Sequence, residues 1–129
     1  MLFRSGERQR LGFVALSDAS TQTGGLLATS LGLGGKPGDG SVTLASEVFA
    51  PRRSFAAFLK APGDTSVLTH VRDLEFRYFG AKDANSPLQW HTDWHEAGQM
   101  PQLVSVAVEF SSQPGIWAGP WLVRLRQKL

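Results

Sequence analysis

The densest gathering of reactive side chains in this 129-residue chain is Trp90-His-Thr-Asp-Trp-His-Glu96. His91 and His95 stand four residues apart, with Asp93 and Glu96 beside them. On a helix that spacing would bring both imidazoles to one face, where with a carboxylate they could hold zinc or another divalent ion. The metalloprotease helix places its glutamate directly after the first histidine. Here Thr92 stands in that position, and Trp90 and Trp94 share the same four-residue spacing. Packing is therefore the favoured reading. A metal-dependent enzyme using His91 and His95 is the alternative, and no metal ligand is assigned.

Other chemistry is weaker still. Gly34-Gly-Lys36 suggests a phosphate loop, but Ser30 occupies the position of its first glycine and Pro37 the position of its Ser or Thr. Proline offers neither an amide N–H nor a hydroxyl. The dinucleotide pattern starting at Gly32 and Gly34 also fails at Pro37. A surface loop across Gly32–Gly40 is the expectation from its glycines and proline. No serine lies in a Gly-x-Ser-x-Gly elbow. His70 is expected at the edge of a strand, and Asp73 and Glu75 on one solvated strand face. No catalytic and no cofactor-binding residue is assigned, and a non-enzymatic role without cofactors is expected.

The elements that must position these residues are mostly strands. From Val71 to Gly80, Leu74, Phe76 and Tyr78 alternate with Asp73, Glu75 and Arg77. From Pro101 to Phe110, Val104, Val106, Val108 and Phe110 alternate with Ser105, Ala107 and Glu109. A period of two predicts strands with one buried and one wet face. The pair should form the centre of an antiparallel sheet, with Trp90 and Trp94 from the connecting loop available to cover it. Further strands are predicted at Leu11–Leu16, Gly25–Leu31, Ser41–Phe49 and Trp121–Arg126, with one short helix at Arg52–Ala61. Phe55, Phe58, Trp117 and Trp121 are expected in the core, since large aromatics are buried on average. A contact surface is the alternative for these four.

Composition narrows the classes. The chain suits a single domain over residues 1–129, large enough to fold without metal or disulfide. It holds no cysteine, which removes thiolate zinc sites and cysteine nucleophiles. Thirteen basic and 11 acidic residues leave a net charge of +2, scattered without a basic face, so no nucleic-acid partner is expected. No run of about 20 apolar residues is present. The segment after Met1, Leu-Phe-Arg-Ser-Gly-Glu-Arg-Gln-Arg10, lacks the apolar middle of a signal peptide. It reads as the interior of a longer protein with an added start methionine.

Taken in order, one set of residues forms a pattern. It comprises Val71, Leu74, Phe76, Tyr78 and Gly80, then Trp90 and Trp94, then Pro101 leading Val104, Val106 and Val108. This pattern resembles the minor pseudopilin J family of bacterial type II secretion. Phe3-Arg-Ser-Gly6 followed by Leu11-Gly-Phe-Val-Ala15 is similar to that family's early strand region. Met100 departs from it, standing where the family usually has leucine. The resemblance implies an α+β, β-dominated fold: a pseudopilin globular head built on antiparallel sheet, with its N-terminal helix truncated. It implies a periplasmic head whose full-length protein is anchored in the inner membrane by a helix absent here. It also implies association with the I and K minor pseudopilins at the pseudopilus tip, in the export of folded proteins across the outer membrane. Without the packing helix, the sheet should expose an apolar strip, and such strips mark interaction surfaces. A minor pilin of a type IV pilus is an alternative. A small-ligand-binding β domain is another, and it would need a large apolar cavity.

Overall fold

The computed structural model describes residues 2–16, 26–48, 63, 65–95 and 99–125. Among the described residues, nine strands form one antiparallel sheet: β1 Leu2–Gly6, β2 Arg10–Leu16, β3 Leu26–Lys36, β4 Asp39–Val48, β5 Thr65–Gly80, β6 Gln89–His91, β7 Trp94–His95, β8 Leu103–Phe110 and β9 Trp117–Arg124. No described residue is helical. The fold is thus strand-dominated, as the alternating pattern requires. The helix expected at Arg52–Ala61 lies outside the described residues, with Phe55 and Phe58.

The sheet order is β7-β1-β2-β3-β4-β5-β8-β9, with β6 added to β5. β5 is the strand the others meet. Its first half pairs with β4, from Leu44↔Thr65 to Gly40↔Val71. Its second half pairs on the other edge with β8, from Val71↔Phe110 to Phe79↔Leu103. The handover falls at His70 and Val71, where the register shifts. His70 takes a left-handed backbone there, with φ 56°. A non-glycine residue in that region holds only when its surroundings fix it. The fixing is visible: Ser111 N–H donates to the His70 carbonyl at 2.9 Å. The His70 Nδ1 lies 3.1 Å from Asp39 Oδ1, and the Ser111 hydroxyl donates to the Gly38 carbonyl at 2.7 Å.

β3 and β4 correct the expected loop at Gly32–Gly40. They pair continuously from Leu27↔Val48 to Lys36↔Asp39, so only Pro37 and Gly38 form the turn. Gly38 takes φ 82°, a conformation suited to glycine. The glycine-rich run therefore extends two strands into a long hairpin.

Two short segments close the sheet on itself. β7 pairs with β1 at Ser5↔His95 and Gly6↔Trp94. β6 pairs with β5 at Tyr78↔His91, Phe79↔Trp90 and Gly80↔Gln89. Thr92 and Asp93 join them, so the path β5-β4-β3-β2-β1-β7 returns through β6 to β5. The turn between β1 and β2 fills the remaining gap, because Phe76 N–H donates to the Arg8 carbonyl at 2.7 Å. Backbone groups in a buried strand need such partners.

The inward face carries the core. Phe3, Leu11, Val42, Val71, Leu74, Phe76, Tyr78, Trp94, Val104 and Val108 are buried together. Each fully buried aliphatic or aromatic side chain contributes about 1.5–3 kcal/mol before entropy is counted. Tyr78 is wholly buried. Its ring stacks at 5.6 Å from Phe3 and lies so close over Gly6 that a Cβ there would overlap it. Gly6→Ala is expected to lower the unfolding free energy by about 3 kcal/mol, the upper part of the overpacking range. Urea denaturation measures this, and an unchanged midpoint would show that the ring has room to move.

Candidate interaction surface

The expected loop from Ala81 to Pro101 contains β6 and β7, and these short strands separate the histidines. His91 Nε2 lies 3.2 Å from the Gly80 carbonyl, and its ring meets Trp94 edge-on at 5.2 Å. His95 Nδ1 lies 2.6 Å from the Ser5 hydroxyl, on the β1–β7 ladder. Each imidazole thus serves a seam of the closure. Glu96 lies outside the described residues. Among the described residues, no group of three or more His, Asp or Glu side chains is placed to hold a metal. Gly34, Gly35 and Lys36 face Ser41, Gly40 and Asp39 across the β3–β4 ladder, so they form paired strand rather than a phosphate cradle.

The tryptophans divide. Trp94 is buried, and its Nε1–H donates to the Gln99 carbonyl at 3.0 Å. Trp90 stays half exposed and packs on Phe79 at 5.2 Å. The core expectation for Trp117 and Trp121 is corrected: both are exposed on β9. The reason is position. β9 ends the sheet order, so its outer edge meets no further strand among the described residues.

Around the closure, charge is arranged in pairs. Arg8 donates to both carboxylate oxygens of Asp73, at 3.0 and 2.9 Å, and Gln9 Nε2 donates to one of them at 2.8 Å. The Arg8 guanidinium holds the Asp73 carboxyl below its ordinary range, with help from Gln9 and the Leu74 amide. A depressed folded pKa means stability that is present above the ordinary carboxylate range and lost as pH falls through the folded value. Arg8→Gln should flatten that acid limb of a urea-stability profile below about pH 4. An unchanged limb would place the acid sensitivity elsewhere.

The Tyr78 hydroxyl donates to the Glu7 carbonyl at 2.7 Å. Burial pushes its ionisation far above the ordinary phenol value, and the charges of Glu7 and Asp93 add to the effect. The folded protein therefore keeps the neutral phenol where the unfolded chain ionises, so stability falls as pH rises past about 10. Tyr78 is the single tyrosine, which makes the prediction clean. Ultraviolet titration should show no phenolate at pH about 11 until the chain unfolds. A normal titration curve in the folded state would remove Tyr78 from the interior.

The inward face is not filled completely. A hollow of about 280 Å³ lies between the β2–β4 wall and the β5, β8 and β9 wall, and all its lining side chains are apolar. Leu11, Leu74, Phe76 and Val104 are buried in its lining, and Val67, Leu68 and Val123 are exposed in it. Because exposed Val67, Leu68 and Val123 belong to its lining, the hollow is a groove open to solvent rather than a sealed cavity. Alternation along single strands does not show which of them line it. Its only sequence signal is the adjacent pair Val67-Leu68, which sits ahead of the strict alternation of β5.

β9 carries the other unforeseen feature. Trp117 faces Glu109 and Ala118 faces Val108, yet Trp121 faces Val106. Gly119 and Pro120 therefore stand together opposite Ala107, as a bulge with Gly119 at φ 92°. The bulge inverts the phase of the strand. Ala118, Trp121 and Val123 share the inward face, while Trp117, Leu122 and Arg124 share the outward one. Comparison with known proteins finds no matching family model, curated protein or solved structure.

Proposed function

We propose that this chain is the head of a minor pseudopilin of the J class, acting through protein association in type II secretion and carrying no chemistry of its own. The observation that carries the reading is the all-apolar hollow on the inward face, open at Val67, Leu68 and Val123. An apolar face of this kind supports the reading, because a sheet that takes a packing helix or a sister subunit needs one. The order of apolar residues from Val71 to Val108, which resembles the family, supports the same reading. The partners are the I and K minor pseudopilins, and the head works on the periplasmic side of the inner membrane.

The same hollow favours a second reading, a domain that binds a small apolar ligand. Its volume lies near the lower end of ligand pockets. Co-expression with I and K heads from the same operon separates the two. A complex on size-exclusion chromatography is expected, disrupted by neither chelator nor added metal. No association at about 100 µM, where binding worth about 5.5 kcal/mol would be half complete, would sink the pseudopilin proposal. Stoichiometric uptake of a hydrocarbon probe in that case would favour the ligand reading.

A further inference from the structure

We draw no further inference here: the strongest candidate, the exposed strip of Trp117 and Leu122 on the outward face of β9, has Asp73 in the cross-strand row of Trp117 and Arg77 in that of Leu122, and nothing in the structure shows what covers it.

Discussion

The hydrogen bond from the Tyr78 hydroxyl to the Glu7 carbonyl decides the shape of this sheet. A buried hydroxyl without a partner costs on the order of 1–3 kcal/mol, so Tyr78 can be buried only where an acceptor comes to it. The acceptor sits in the turn between β1 and β2. That turn must therefore lie over β5, and a sheet whose first hairpin lies over its middle strand has to curl. Gly6 permits the approach, because any side chain there would meet the phenol ring. The Arg8–Asp73 pair and the Phe76 to Arg8 backbone bond hold the same turn from the outside. A neutral bond within the core and a charged bond at its surface thus fix one junction.

Curling makes the two faces unequal. The inward side gathers Leu74, Phe76, Val104 and Val108 against residues of β1, β2 and β4. The outward side of β5 carries Asp73, Glu75 and Arg77, each engaged in an ion pair. Closure also removes most free edge. β5 alone is paired in turn by β4, by the Arg8 carbonyl and by β6. β9 lies beyond the closed part. Among the described residues it gains no further strand from the curl, and Trp117, Trp121, Leu122 and Val123 stay exposed, which isolated sheet edges usually avoid.

The centre of the fold was legible in sequence because it obeys one rule. From Leu74 to Tyr78 burial alternates as residue type does, whereas on β8 Val104 and Val108 are buried and Val106 only partly so. Where the rule was incomplete, reading stopped. Ser105 and Glu109 are polar yet buried. Glu109 is held there by the Gly115 amide and Arg72, partners that no period reveals. The glycine-rich hairpin was unreadable for another reason. Glycine carries no strand propensity, but Gly40 packs against the Gly34 carbonyl so closely that the paired strands exclude a larger residue. The histidine pair misled through its spacing. Four residues align on a helix, whereas two short strands send His91 to Gly80 and His95 to Ser5.

β9 shows how one inserted residue assigns surfaces. In a regular strand, Trp117 and Trp121 would share a face, and Trp117 and Leu122 would oppose each other. Reading β9 as regular would therefore group both indoles, as either core or contact. The bulge at Gly119 and Pro120 reverses the phase, so Trp121 joins Val123 beside the hollow while Trp117 joins Leu122 and Arg124 outside. Two exposed apolar faces then lie back to back on a single strand: Val123 at the hollow on one side, Trp117 and Leu122 on the other. The insertion at Gly119 and Pro120 therefore decides which of the two indoles lies on the same face as Val123.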